Sequence, residues 1–370
     1  MEEKKKTITE QYLPHEVIIQ ILLWLPVKSL IRFKCVCKLW FSLISHPQFA
    51  NSHFQLAATT PTHRILFISK SNSSPETRSI DFEAPFNDDS ASLNLNFLLP
   101  RTYLDLEIKG SCRGFMCLHC CSEIHLWNPS TGAHKQIPLS PNDFFLNFYG
   151  FGYDQSTDDY LLVSMSYETD FDDTISSHLE IFSLRANMWK EIEDIDIPYT
   201  SAVDAEPKLG LLFSGAIHWI AYLDDLQEDV IVAFDLMERK LLDMHLPEEF
   251  DGEPEYSDLW VFGEFLSLST MNNTNNTVQI WVMKEYKVHS SWTKTHVLST
   301  DSILAWHFSP LCSTKNGDIV GTDKDGTILW KCNDKGQLLE YHSYGNDSSR
   351  SQVTLYIESL LSLPADNAQA

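Results

Sequence analysis

Long apolar runs are missing from this chain. The longest, Val17 to Val27, is broken by Gln20 and Pro26. It is about half the length that a membrane span needs. The opening Met1-Glu2-Glu3-Lys4-Lys5-Lys6 lacks the apolar stretch of a signal peptide. Basic side chains are scarce: 27 Lys and Arg stand against 51 Asp and Glu, a net charge of −24. That balance argues against nucleic acid or an anionic membrane as the partner of most of the chain. Together these absences predict a soluble protein of the cytoplasm, the nucleus or both. Cysteine is ordinary at eight residues. A reducing compartment keeps such thiols free, so no structural disulfide is expected.

Signatures of bond-making chemistry are missing too. His15-Glu16 opens like a zinc-protease motif, but Ile19 stands where the second His is needed. Gly150-Phe151-Gly152 lacks the third glycine of a dinucleotide loop and opens no helix. Neither a phosphate-binding Gly-Lys-Ser/Thr loop nor a Gly-x-Ser-x-Gly elbow occurs. The densest ligand cluster is Cys117, His119, Cys120 and Cys121 with His125. Only Cys117, His119 and Cys121 would share a strand face, short of the four convergent ligands zinc prefers. No catalytic residue, metal or cofactor is expected.

What is present is enough apolar side chain, 43% of residues with 12% aromatic, to build a large core. Its charge is divided. Residues 13–50 carry Lys28, Arg32, Lys34 and Lys38 against Glu16, a net +3. Residues 1–12 are neutral overall, which leaves −27 for the remaining 320. A basic head on an acidic body predicts two modules with different partners.

The head reads as three short helices. Pro14 and Glu16 suit a first helical turn. Val17, Ile18, Ile21, Leu22 and Leu25 then follow an i, i+1, i+4, i+5, i+8 pattern, and Pro26 ends the helix. A second helix starts at Val27 and runs to Phe33. A third, within Cys35 to Ser45, puts Val36, Trp40, Leu43 and Ile44 on one face. Ile19, Leu23 and Trp24 fall off the main face of the first helix, and a helix apolar nearly all round is covered on both sides. Two readings stay open. The helices pack on the body, or they present a face to a partner helix.

The body repeats a shape without repeating its letters. Glu123–Trp127, Leu179–Phe182, Val230–Phe234, Val278–Trp281 and Thr327–Trp330 are apolar strands ending in an aromatic. Their anchors, Trp127, Phe182, Phe234, Trp281 and Trp330, are 55, 52, 47 and 49 residues apart. A period near 50 fits one four-stranded propeller blade. Each anchor strand follows another apolar strand, such as Phe115–Leu118 or Ala216–Tyr222. Arg64–Lys70 and Thr77–Phe82 begin a sixth blade. Val353–Glu358 could pair back onto them and remove two exposed edges. The preferred class is α+β multidomain: a three-helix head followed by an all-β, six-bladed propeller. The alternative is an open or double-sheet sandwich.

Here the residues reach a resemblance. Leu13-Pro14-x-Glu16, Ile21-Leu22, Leu25-Pro26-Val27-Lys28-Ser29-Leu30, Phe33-Lys34-Cys35-Val36-Cys37-Lys38-x-Trp40, Leu43-Ile44 and Pro47-x-Phe49 resemble an F-box over residues 13–50. Trp24 departs from that pattern, which more often has a polar or basic residue there. The body resembles the plant F-box-associated interaction domain, often labelled F-box/kelch-repeat. The match lies in Gly110–Gly114, Leu126–Gly132, Gly150–Asp154, Gly215–Trp219, Phe234–Leu236, Ile280–Tyr286 and Ser291–Lys294. A Gly-Gly doublet and a Trp-Asp dipeptide are absent, a departure from kelch and WD patterns proper.

The resemblance implies a substrate-recognition subunit of a ubiquitin ligase. It would bind a Skp-family adaptor, and through it cullin, by the F-box, and a target protein by the propeller. It would do no bond chemistry itself. By matching position, the adaptor contacts would be Leu13, Pro14, Ile21, Leu22, Pro26, Leu30, Val36 and Trp40. Residues 51–62 would be a spacer and 63–363 the target-binding domain. The alternative is a non-degradative Skp-associated interaction module.

In a propeller the loops between second and third strands and the blade-to-blade connections share one face. Three of these loops hold fourteen acidic residues and neither Lys nor Arg. They include Asp170, Asp172 and Asp173; Asp224, Asp225, Glu228 and Asp229; and Glu248, Glu249 and Asp251. This face is expected to read a basic target by electrostatic steering. The plainer alternative is that the loops only keep the protein in solution.

Overall fold

The computed structural model describes residues 13–57, 63–69, 76–88, 90–95, 106–120, 123–142, 145–169, 175–193, 197–200, 208–223, 226–272, 274–299, 308–344 and 351–363. Four helices come first: α1 His15–Leu23, α2 Val27–Phe33, α3 Lys38–Ser45 and α4 Pro47–Ala57. Pro14 and Pro26 stand immediately before α1 and α2, where a missing N–H costs nothing. Cys37 caps α3, its sulfur accepting from the Trp40 N–H at 3.5 Å. The three-helix expectation is therefore corrected to four. His46 turns extended and interrupts α3, but Pro47 opens a new helix rather than closing the module. The reason is a second apolar stripe: Phe49, Ala50 and His53 are buried on one side of α4. The ring Nε2 of His53 meets the Leu25 carbonyl at 2.9 Å, satisfying an acceptor that the end of α1 leaves open.

Six sheets among the described residues follow one another as blades, and their strands pair antiparallel except that Lys208–Leu209 adds a short parallel partner to Phe145–Asp154 of the second blade. The first blade is Leu106–Cys112, Phe115–Cys120, Glu123–Trp127 and His134–Ile137. The second is Phe145–Asp154, Asp159–Thr169, Ile175–Ser183 and Met188–Glu191. The third runs through Leu211–Phe213, Ala216–Leu223, Glu228–Asp235 and Lys240–His245, with Tyr199–Thr200 as an extra partner of its second strand. The fourth is Ser257–Phe262, Phe265–Asn272, Thr277–Met283 and Trp292–Ser299. The fifth is Ser309–Ser313, Ile319–Thr322, Ile328–Cys332 and Leu338–Ser343. The sixth takes its innermost strand, Ser351–Ile357, from the far end of the chain. It adds His63–Ser69, Glu76–Ile80 and Ser92–Asn94 from the near end.

The six inner strands touch in a ring, each against the next, with Ser351–Ile357 meeting both the first and the fifth blade. Closure rests on an antiparallel ladder running from His63 opposite Ile357 to Ser69 opposite Ser351. No blade edge is left open at the seam, which is what a closed sheet ring achieves.

All five aromatic anchors sit on the third strand of their blade and are buried. Each packs into the gap toward the preceding blade. Phe182 joins Phe115 and Cys117 of the first, and Phe234 joins Phe148 and Leu161 of the second. Trp281 lies with Ile220 of the third, and Trp330 with Trp260 and Met271 of the fourth. The repeat of about 50 residues is the spacing of these inter-blade wedges.

Candidate functional site

Two surfaces carry the residues singled out from sequence, and they lie at opposite ends of the molecule. On the helical head, α1 is apolar on two sides. Ile18, Leu22 and Leu25 face inward, Leu22 being fully buried. Leu13, Val17, Ile21 and Trp24 form an outward row at spacings of four, four and three, and all are exposed, Trp24 at 69%. The face expected from sequence mixed these two rows. Val36, Leu39 and Phe41, around the start of α3, are exposed too.

Of the eight adaptor contacts expected from sequence, Leu13, Pro14, Ile21, Pro26 and Val36 are exposed and Trp40 is half-buried. Trp40 is tilted against Phe33, ring centroids 5.3 Å apart. Leu22 and Leu30 are core residues, at 1% and 0% exposure, and hold the helices together instead. Val17, Trp24, Leu39 and Phe41 are exposed apolar residues outside that set. Trp24 was signalled by falling off the main helical face; the others carried no separate signal.

The second surface is the acidic one. Asp170, Asp172, Asp173, Asp224 and Asp225 lie outside the described residues. Glu228, Glu248, Glu249 and Asp251 are exposed, and Asp229 is half-buried. Burial raises the Asp229 carboxyl above its ordinary range. Glu228 meets His245 Nδ1 at 3.0 Å, and Asp251 accepts weakly from Gln279 at 3.4 Å. Strand order puts the start of Glu228–Asp235 and the connection after His245 on the same face.

The opposite face is less basic than its residue count suggests. Arg185 is paired with Asp158 and Arg239 with Asp154, each at 2.7 Å, while Lys287 lies 3.8 Å from Asp235. That face also carries the helical head. Arg113, in the turn between the first two strands of the first blade, has its guanidinium 4.7 Å from the Phe54 ring of α4. Glu228, Glu248, Glu249 and Asp251 therefore lie on the face away from the head.

Side chains that could suggest chemistry have structural explanations. His218 is fully buried between the Leu211 carbonyl at 3.2 Å and the Tyr286 hydroxyl at 2.8 Å. Nδ1–H donates to the carbonyl and Nε2 accepts from the hydroxyl. Burial pulls its pKa down to about 4, so the ring stays neutral. Burial pushes the Cys112 and Cys117 thiols up to about 12, which makes them poor nucleophiles. Cys35 and Cys37 are exposed rather than packed. Trp219 and Trp292 donate to the carbonyls of Tyr149 and His245 across blade boundaries. Among the described residues, no group of three or more His, Cys, Asp or Glu is arranged to hold a metal ion. None of the described helices is long and apolar enough to cross a membrane.

Comparison with known proteins agrees with this layout. Residues 66–363 match the family model described as the F-box associated beta propeller domain, and residues 11–51 match the F-box domain. An F-box/kelch-repeat protein of Arabidopsis thaliana is 28% identical over 304 residues, covering 78% of this chain and 81% of its own. The F-box protein CPR1 of the same plant is 28% identical over 348 residues, covering 86% and 81%. Among solved structures, a regucalcin from Agrobacterium tumefaciens, described as a calcium-binding protein, overlaps 62% of this chain and 70% of its own. Its TM-score is 0.38 at 10% identity.

Proposed function

Because the chain belongs to the family of F-box proteins with an F-box-associated β propeller, we propose that it is the substrate-recognition subunit of a Skp–cullin–F-box ubiquitin ligase. The helical head binds the Skp-family adaptor and the propeller holds a target protein. Its contribution to ubiquitin transfer is proximity: bound target and charged conjugating enzyme are brought into one complex, which raises their effective concentration.

One observation carries this reading. The head is folded, with its own buried Leu22, Val27, Leu30 and Ile44. It still leaves Leu13, Val17, Ile21, Trp24, Val36, Leu39 and Phe41 in water. Seven exposed large apolar side chains on so small a folded module mark a protein contact. Leu13, Pro14, Ile21, Pro26 and Val36 supply the adaptor contact, with Trp40 at its edge. Leu22 and Leu30 support it from beneath. The working division of the chain is 13–50 for the F-box and 63–363 for the propeller, with 51–62 tying them together.

The target is read by the acidic face, from Asp170, Asp172, Asp173, Asp224 and Asp225 through Glu228, Asp229, Glu248, Glu249 and Asp251. The net −27 outside residues 1–50 favours a basic target. The experiment is co-purification with a Skp adaptor, comparing wild type with Leu13→Ala/Pro14→Ala. Capture by wild type alone supports the reading, and failure of both sinks it. Salt is the second variable: target capture that does not weaken from 50 to 500 mM salt, roughly a threefold shorter screening length, removes the steering part.

A further inference from the structure

Two motifs singled out from sequence belong to neither proposed contact surface. Ser111-Cys112-Arg113-Gly114 and Asn128-Pro129-Ser130-Thr131-Gly132 form turns of the first blade on the side that carries the head. Both are occupied by the end of the chain. Asn128 is fully buried, and its Nδ2 donates to the carbonyls of Ser359 at 3.1 Å and Leu361 at 3.2 Å. Its Oδ1 accepts from the N–H groups of Ser130 at 2.8 Å and Thr131 at 3.3 Å. Ser130 Oγ accepts from the Ser359 N–H at 3.2 Å, and Ser359 Oγ from the Leu361 N–H at 3.0 Å. Gly114 has φ +85°, and a Cβ there would lie 2.2 Å from the Ser359 Cβ. Only glycine lets the tail pass.

The same tail reaches the head. Leu360 and Leu361 are buried in one apolar cluster with Leu22, Leu30, Ile44, Phe49 and Ala50 of the helices and Phe115 and Phe151 of the blades. Beside it, the Arg113 guanidinium lies between two rings. One is Phe54 of α4 at 4.7 Å, the other Tyr153 of the second blade at 3.9 Å. The Tyr153 hydroxyl donates to Asp158, which Arg185 also holds. Cation–ring contacts of this kind are strongest when removed from water.

A covalent connection through residues 58–62 does not by itself fix the bearing of one module on another, and relative motion is the default across a small interface. We propose that the C-terminal tail Glu358–Leu363, gripped by Asn128 and Ser130 and flanked by the Arg113 clasp, is a joint. It locks the helical head to the propeller at one bearing. In the ligase reading, on which only this consequence rests, the joint positions the target face relative to the adaptor. Asn128, Arg113, Leu360 and Leu361 are thus positioning residues, far from the acidic face.

The test uses the full chain with probes introduced at Ser42 on α3 and Glu264 in the fourth blade, both exposed. The distance distribution between them is then measured. Wild type gives one narrow peak. A chain ending at Glu358 keeps the ring-closing strand and loses the joint, and its peak broadens at least about twofold, as expected of tethered modules. Leu360→Ser/Leu361→Ser keeps the backbone grip on the tail and should broaden the peak likewise. Arg113→Gln should broaden it less. A folded Leu360→Ser/Leu361→Ser chain with the wild-type peak overturns the proposal. Capture of a Skp adaptor by the same chains is expected at the wild-type level. Failure of wild type to capture would sink the ligase reading and leave the joint standing.

Discussion

The head and the propeller solve the same problem in opposite ways. Of fifteen large apolar side chains exposed among the described residues, seven lie between Leu13 and Phe41 and eight are scattered over the whole propeller. The propeller satisfies itself. Each blade buries an aromatic against its neighbour, and the last strand closes the ring. The head does not. Its helices are too short to bury two apolar rows on α1, so one row packs inward and one is left exposed. Charge follows the same division, +3 on residues 13–50 against −27 on the remaining body. Burial is concentrated in the body, and exposed apolar surface is concentrated on the head.

The contrast can be broken most severely at the seam. A chain ending at Gly345 loses Ser351–Ile357 and exposes two sheet edges. We expect it to lose the cooperative melting transition of the propeller. That is a cost on the order of the whole 5–15 kcal/mol that stabilises a domain. A calorimetric transition like that of wild type would show that the ring does not depend on its closure. Next in size is Trp219→Ala, which empties a buried site between the second and third blades and leaves the Tyr149 carbonyl without its indole donor. A loss of about 3–5 kcal/mol is expected from urea titration. A loss below 1 kcal/mol would contradict close packing there.

Acid should act on the body in a defined window. His218 has a pKa of about 4 in the fold, against 6.5 when exposed. Between those values the unfolded chain binds the proton that the native ring refuses. Stability is therefore full above 6.5 and falls as the pH drops toward 4, by about 3 kcal/mol from this residue alone. The check is the slope of stability against pH in wild type and His218→Asn; equal slopes over that window would remove His218 as the cause. The smallest stability effect belongs to the head. Trp24→Ser, on the outward row, should change unfolding free energy by no more than about 0.5 kcal/mol. It should nevertheless weaken adaptor capture about tenfold, as loss of an aromatic anchor does. A large stability loss with unchanged capture would reverse the proposed division of labour.

Much of this architecture was legible from local pattern. The anchors at Trp127, Phe182, Phe234, Trp281 and Trp330 marked five blades because each third strand must wedge a large ring into the gap toward the preceding blade. The return of Val353–Glu358 was legible because the strands that open the sixth blade, at the near end of the chain, need a partner. The fourth helix was not. Pro47 reads equally as a stop and as a start, and only the pocket that receives Phe49 and His53 decides between them. The two rows of α1 could not be told apart either, since Ile21 and Leu22 are chemically alike and differ only in what lies opposite. The acidic loops were visible as composition. That Glu228, Glu248, Glu249 and Asp251 face away from the head follows from strand order together with the contact between Arg113 and Phe54.

By itself, the sequence determined the modules, the blade period, the family and the sign of each module's charge, because these depend on residues near one another in the chain. The tertiary structure alone decided which apolar residues remain exposed and which turns hold the head. Asn128 and Ser359 are 231 positions apart, and nothing in either neighbourhood names the other. Their meeting is set by closure of the ring, which brings the last strand beside the first blade and carries the tail beneath the helices. Such long-range contacts arise from the packing of whole blades, and packing has no local signature.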